Sequence, residues 1–192
     1  MTAEKFGILI DIDRCLGCQA CVVACRQETL VCSDHPSRGT IEVRQIGPSG
    51  SFPDLETHFL PTQCNHCEKP ACLSVCPTGA IFKREDGIVL IDHEKCTRCD
   101  QCVSACPYGA ILHNEGTNRI EKCTFCVHRL EQGEIPACIP ICLAKARIFG
   151  DLNDGRSEIS SLIKEKKSSV FNRSMPDGSI NKSNVIYMRT RR

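Results

Sequence analysis

Sixteen of the seventeen cysteines fall into four groups of four. The first is Cys15, Cys18, Cys21 and Cys25, a C-x2-C-x2-C-x3-C run. The third, Cys96, Cys99, Cys102 and Cys106, repeats that spacing and is followed by Pro107. The second, Cys64, Cys67, Cys72 and Cys76, has a wider middle gap and ends at Pro77; the fourth, Cys123, Cys126, Cys138 and Cys142, has a long loop in its middle. Such spacing suits thiolates closing on a cubane: a tight loop wraps three corners, while the fourth cysteine of the run opens a helix that points away and ligates the other cluster of a pair. Proline after that cysteine costs nothing in a first helical turn, where its N–H has no partner to lose. The chemistry expected is one-electron transfer at four [4Fe–4S] clusters, with these sixteen cysteines as metal ligands.

Other uses of the thiols fit less well. A disulfide framework pairs cysteines across a fold, whereas two-residue spacing brings neighbours to one point, and seventeen is odd. Zinc takes C-x2-C pairs two at a time; the triplets would leave surplus thiols, and the loosely spaced fourth group is the place where zinc stays open. Cys32 stands outside the groups and reads as a small structural thiol. His66, between Cys64 and Cys67, reads as a neighbour of ligands rather than a ligand, because cysteine fills the positions. Asp11, Asp13 and Asp92 precede clusters and read as turn caps. No phosphate loop, nucleophile with a base, or carboxylate pair set by a motif is present, so no catalytic residue is expected.

Two stretches repeat. Gly7-Ile-Leu-Ile-Asp before Cys15 is echoed by Gly87-Ile-Val-Leu-Ile before Cys96; Pro70-Ala71-Cys72 with Ala80-Ile81-Phe82 is echoed by Pro136-Ala137-Cys138 with Arg147-Ile148-Phe149. Groups one and two therefore match groups three and four. Under the crossed-ligand rule, Cys64, Cys67 and Cys72 take Cys106, and Cys96, Cys99 and Cys102 take Cys76. In the outer half Cys15, Cys18 and Cys21 join Cys142, while Cys123, Cys126 and Cys138 join Cys25. The expected fold is α+β: a duplicated bacterial-type 2[4Fe–4S] ferredoxin, with residues 1–60 and 123–150 as an outer half, 61–122 as an inner half, and 151–192 as a C-terminal helix and irregular, extended tail. Residues 20–29 read as a helix and 157–167 as a surface helix. Residues 40–46 and 55–60 read as strands about a turn at 47–50, a β-hairpin insertion within 40–60. With no Trp, two Tyr and seven Phe, metal–thiolate bonds must supply much of the folding free energy.

The segments Asp13-Arg14-Cys15-Leu16-Gly17-Cys18-Gln19-Ala20-Cys21, Cys64-Asn65-His66-Cys67, Cys76-Pro77-Thr78-Gly79-Ala80, Cys123-Thr124-Phe125-Cys126 and Arg147-Ile148-Phe149-Gly150-Asp151-Leu152 resemble the four-cluster iron–sulfur subunit of the dimethyl-sulfoxide-reductase and polysulfide-reductase group. The resemblance covers residues 7 to about 155. It implies a large molybdenum or tungsten bis-pterin catalytic subunit as partner, often with an integral membrane quinone-binding subunit, and export on the catalytic partner's twin-arginine signal where export occurs. Two departures stand out. Cys142-Leu143-Ala144-Lys145-Ala146 replaces the usual Cys-Pro-Thr-Gly-Ala, and the third group keeps all four cysteines where some relatives hold a [3Fe–4S] cluster.

The net charge of +1 excludes a nucleic-acid footprint, which needs a strong basic excess; Arg189, Arg191 and Arg192 read as a solvated tail. No secretory h-region of about 7–15 apolar residues is visible, nor the roughly 18 of a membrane span. A cytoplasmic subunit, or one exported with a signal-bearing partner in a peripheral membrane complex, is expected. Lys95, Arg98 and Lys122, next to the third and fourth groups, are candidates to raise neighbouring cluster potentials. The other hosts for such a chain are a hydrogenase, a tungsten aldehyde oxidoreductase, or no host at all, as a stand-alone polyferredoxin or redox sensor.

Overall fold

Ile8, Leu9 and Ile10 have no exposed surface, and the reason is the position of their strand. In the computed structural model, which describes residues 3–28, 40–175 and 177–189, β1 (Phe6–Asp11) lies inside a four-stranded sheet. Its antiparallel neighbour is β8 (Arg147–Asp151), with Ile8 opposite Phe149 and Ile10 opposite Arg147. Its parallel neighbour is β10 (Val185–Met188), with Ile8 opposite Val185, and β9 (Val170–Phe171) closes the sheet. Both faces are covered, so the strand is continuously apolar rather than alternating. Ile8 and Ile10 join Ile88, Phe125, Val185 and Tyr187. Leu9 joins Ile148, Met188 and Ile159 of α5 (Glu158–Glu165) on the other face. Each such side chain contributes about 1.5–3 kcal/mol.

The duplication is visible in the strands. β4 (Ile81–Lys83) pairs antiparallel with β5 (Val89–Ile91), which leads to Cys96; β8 pairs in the same sense with β1, which leads to Cys15. β6 (Ile111–Asn114) and β7 (Arg119–Lys122) form a hairpin between groups three and four. β2 (Ile41–Ser51) and β3 (Asp54–Gln63) form one between groups one and two. The long hairpin thus occupies the position of β6–β7 in the other repeat. The short helices follow suit: α1 (Ala20–Glu28) and α3 (Gln101–Ala105) begin inside the first and third groups, α2 (Ala71–Ser74) inside the second, and α4 (Val127–Leu130) follows Cys126.

Two expectations need correction. The hairpin does not turn at residues 47–50; both strands run on, and the register shifts between Ile46 and Ser49 instead. Gly47 sits at φ +107, and a Cβ there would stand 2.5 Å from the Glu56 carbonyl oxygen. Glycine serves a bulge as well as a turn, because only the positive φ is required. The C-terminal stretch is not irregular either. Val185, Tyr187 and Met188 are buried in the sheet, and the Tyr187 hydroxyl donates to the Pro61 carbonyl at 3.1 Å. The expected surface helix appears as α5, capped by Ser157, whose hydroxyl accepts from Ser160 N at 3.3 Å. Cys32, Arg191 and Arg192 lie outside the described residues.

Candidate metal centres

All four cysteine loops share one backbone feature. The residue two places after the first cysteine is left-handed each time: Gly17 at φ 68°, His66 at 45°, Arg98 at 59° and Phe125 at 54°. Gln19 at 62° and Asp100 at 58° repeat it one place after Cys18 and Cys99. Non-glycine residues in this region cost of order 1–3 kcal/mol each, so the curl is imposed by what the loop must do. Alternation of right- and left-handed residues turns successive N–H groups into a concavity that favours negative charge. At position 17 glycine is required on a second count, since a Cβ would meet the Phe59 ring at 2.6 Å. The chain enters two of the loops alike. Asp11 accepts the N–H groups of Asp13 (3.0 Å) and Arg14 (3.3 Å) ahead of Cys15, and Asp92 accepts those of Glu94 (3.0 Å) and Lys95 (3.4 Å) ahead of Cys96. Asp13 faces Arg189 at 4.0 Å.

The thiols gather in four rings of four. Cys76, Cys96, Cys99 and Cys102 line one cavity; Cys15, Cys18, Cys21 and Cys142 line another. Cys67 has Cys64, Cys106 and Cys72 as its charge neighbours. Cys25 has Cys138 and Cys126, and Cys123 has Cys25 and Cys138. In each of these sets a thiol of one group stands beside thiols of another. None of the sixteen is joined in a disulfide. Among the described residues no set of three Cys, His, Asp or Glu side chains is placed to hold a single metal ion. Zinc would need thiolates about 2.3 Å from one point; rings around a space suit a larger, many-atom group.

Burial separates the rings. Cys18 and Cys99 are exposed, whereas Cys25, Cys123, Cys126 and Cys138 are all buried. Burial pushes the Cys123 thiol well above its ordinary range, that of Cys67 to about 12, and those of Cys25 and Cys72 to about 11. Such thiols release protons only to a metal that replaces them, so filling the rings is coupled to proton release and to folding.

Lys122, His66 and Arg147 are buried polar side chains among the rings. Lys122 is 4 % exposed; its Nζ donates to the Val89 carbonyl and, at 2.9 Å, to that of Cys123. His66 is fully buried, its ring 4.0 Å from that of Phe125. Burial first, then Lys122 and Lys83, hold it well below its usual pKa and hence neutral, and its Nδ1 accepts from Val89 N at 3.0 Å. Arg147, 3 % exposed, donates to Gln63 Oε1 and reaches Cys138 Sγ at 3.5 Å. Desolvation opposes its charge, but the facing sulfurs of Cys138 and Cys21 outweigh that and raise its pKa. Of the candidates from sequence, Lys122 is in place and Arg98 borders the ring of Cys99, whereas Lys95 is an exposed partner of Asp92 at 3.0 Å. Arg147 escaped the sequence reading because it stands five residues beyond Cys142, in a strand rather than a loop.

Residues 55–152 match the 4Fe-4S dicluster domain family, and residues 14–80 match a second 4Fe-4S dicluster domain family. The chain belongs to the 4Fe-4S dicluster iron–sulfur proteins. It is 43 % identical over 167 residues to a subunit of tetrathionate reductase from Salmonella typhimurium, covering 87 % of this chain and 66 % of that one. It is 42 % identical over 189 residues to a putative dimethyl sulfoxide reductase iron-sulfur subunit from Halobacterium salinarum, covering 84 % and 71 %. A third relative, a subunit of sulfite dehydrogenase from Allochromatium vinosum, is 37 % identical over 180 residues, covering 84 % and 75 %. The chain spans just under two thirds of the tetrathionate reductase subunit's length. Two dicluster stretches and sixteen grouped cysteines make this a protein of four [4Fe-4S] clusters. No helix among the described residues is long and apolar enough to cross a membrane.

Proposed function

We propose that this protein is the electron-transfer subunit of a molybdenum or tungsten oxidoreductase complex, set between a large bis-pterin catalytic subunit and a redox partner such as a membrane quinone-binding subunit. One observation carries the reading: four rings of four thiols, each closed by a cysteine from the paired group. A ring closed in this way locks two loops together, so the sites come in fixed pairs. When bound, each four-iron cluster accepts and returns one electron at a potential set by its surroundings.

The ligand sets we propose are Cys15, Cys18, Cys21 and Cys142; Cys25, Cys123, Cys126 and Cys138; Cys64, Cys67, Cys72 and Cys106; and Cys76, Cys96, Cys99 and Cys102. The first two form an outer half from residues 1–60 and 123–150, and the last two an inner half from residues 61–122. The halves meet where Cys123 faces Cys64, both inside one apolar cluster with Ile88 and Phe125. We read the rings in an order that starts at exposed Cys99, passes through the partly buried ring of Cys64 and the buried ring of Cys123, and ends at exposed Cys18. Exposed thiols at both ends suit exchange with partners; apolar walls in the middle exclude water and keep the relay inside the protein. The long β2–β3 hairpin and the strand-forming C-terminal stretch frame the outer half.

Anaerobic purification through a tag on this chain, followed by analysis for iron, zinc, molybdenum and tungsten, tests the proposal. About sixteen irons per chain, four per cluster for four clusters, together with one molybdenum or tungsten, is the expected result. Abundant iron with neither heavier metal would move the chain to a hydrogenase or to a free polyferredoxin. Zinc in place of iron would end the reading.

A further inference from the structure

Arg147 is a buried cation whose side-chain hydrogen bonds reach no carboxylate among the described residues. Its hydrogen-bonded partners are the neutral Gln63 Oε1 and Cys138 Sγ, and its Nε and Nη1 have no hydrogen-bond partner. A charge in this position is costly unless something negative faces it. The sulfurs do face it: Cys138 belongs to the ring of Cys25, Cys123 and Cys126, while the space ringed by Cys15, Cys18, Cys21 and Cys142 is bordered by the same arginine. The residue is held there by the fold, on β8 opposite Ile10 of β1, and tied to the end of β3 through Gln63. It therefore stands between two adjacent rings, its guanidinium shared by both.

We infer that Arg147 is a positioning charge that sets the redox potentials of the two outer-half clusters together. The inference rests on the four-cluster reading above. A cluster that takes up an electron gains one negative charge and no proton. A fixed positive charge beside it, in a region shielded from water, stabilises that reduced form and raises its midpoint. A guanidinium does this at any working pH, because it stays protonated. Since Arg147 serves two rings, it raises both midpoints and favours electron residence in the outer half over the inner one. Gln63 aims the group without cancelling it. A carboxylate at that place would have paired with the guanidinium and removed the effect.

The experiment is a redox titration of the anaerobically purified complex followed by electron paramagnetic resonance, with iron counted in every sample. Arg147→Gln lowers two of the four midpoints and leaves the other two in place. The expected shift is at least tenfold in the ratio of reduced to oxidised cluster, which is 59 mV for one electron. Gln63→Glu lowers the same two, by setting a carboxylate on the guanidinium with almost no change of shape. Arg147→Lys keeps them close to the wild type. A merely structural arginine would change stability or iron content and leave the midpoints alone. Unchanged midpoints in both Arg147→Gln and Gln63→Glu, at full iron content, overturn the inference, as does an equal shift of all four. Should Arg147→Gln lose iron, the result of Gln63→Glu decides. A wild-type complex without its sixteen irons would instead overturn the proposed function.

Discussion

His66 and Phe125 hold the same place in their cysteine groups, two residues after Cys64 and Cys123, and their rings touch at 4.0 Å between centroids. Both are left-handed, at φ 45° and 54°, and both are fully buried. The contact is where the second and fourth groups meet, so it joins the two halves of the duplication at equivalent points. Phe125 also meets Phe149 edge-on at 6.2 Å, which ties the junction to β8.

Removing that ring should loosen the join without touching a thiol. Phe125→Ala is expected to cost about 3–5 kcal/mol, the usual figure for emptying a buried aromatic site, and Phe125→Leu clearly less. Loss of the iron–sulfur visible absorbance with increasing denaturant, under anaerobic conditions, measures this. Equal midpoints for the wild type and Phe125→Ala would show that the halves are held together elsewhere.

The crossed rings make a pairwise forecast. Cys106→Ser should abolish or alter the same paramagnetic signal as Cys67→Ser, although Cys106 lies only seven residues from Cys99 and 39 from Cys67. Cys76→Ser should match Cys99→Ser, and Cys142→Ser should match Cys18→Ser. If Cys106→Ser and Cys99→Ser affect one and the same cluster, each group closes on itself and the pairing is wrong.

How much of this could be read from the chain depends on range. The cysteine groups, the repeated stretch before Cys15 and the turn caps at Asp11 and Asp92 are local, written in spacings of a few residues, and the sequence carries them openly. The duplication suggests the crossing too, because one spacing rule applies twice, and the serine variants above test it. What stayed hidden is long-range. Val185-Ile186-Tyr187-Met188 is a four-residue apolar run after a Ser-, Asn- and Lys-rich stretch, and nothing local reveals that it pairs in parallel with Ile8 to Asp11. Parallel pairing leaves no turn signature. Gly47-Pro48-Ser49-Gly50 carries turn chemistry, but strands on both sides continue to pair, so the glycine serves a bulge. Arg147 looked like an ordinary strand residue. Only its burial against Cys138 and Gln63 gives it a role.

That hidden strand leads to a strong expectation for truncation. Ending the chain before Val185 removes three buried side chains and the only parallel neighbour of β1 among the described residues. At about 1.5–3 kcal/mol for each buried side chain, the loss is comparable with the whole stability of many domains, about 5–15 kcal/mol. The shortened chain should fail to accumulate with iron, whereas a chain ending after Arg189 should behave as the full-length protein does. Full iron content in the shorter form would show that β10 is dispensable packing.

Exposure of the rings gives the last expectation. Cys18 and Cys99 are exposed, while the ring of Cys25, Cys123, Cys126 and Cys138 has every thiol buried. Leu16 and Leu143, 66 % and 80 % exposed, flank the ring of Cys18 and leave it bare when no partner covers them. Oxygen must reach a cluster to destroy it, so brief aeration of the separated subunit should remove the signals lost in Cys18→Ser and Cys99→Ser before those lost in Cys123→Ser and Cys67→Ser. In the intact complex, at least one of the two end rings should gain protection, because a partner that exchanges electrons there must also cover the surface. Simultaneous decay of all four signals in the separated subunit would mean that the chain opens as a whole faster than oxygen attacks its ends.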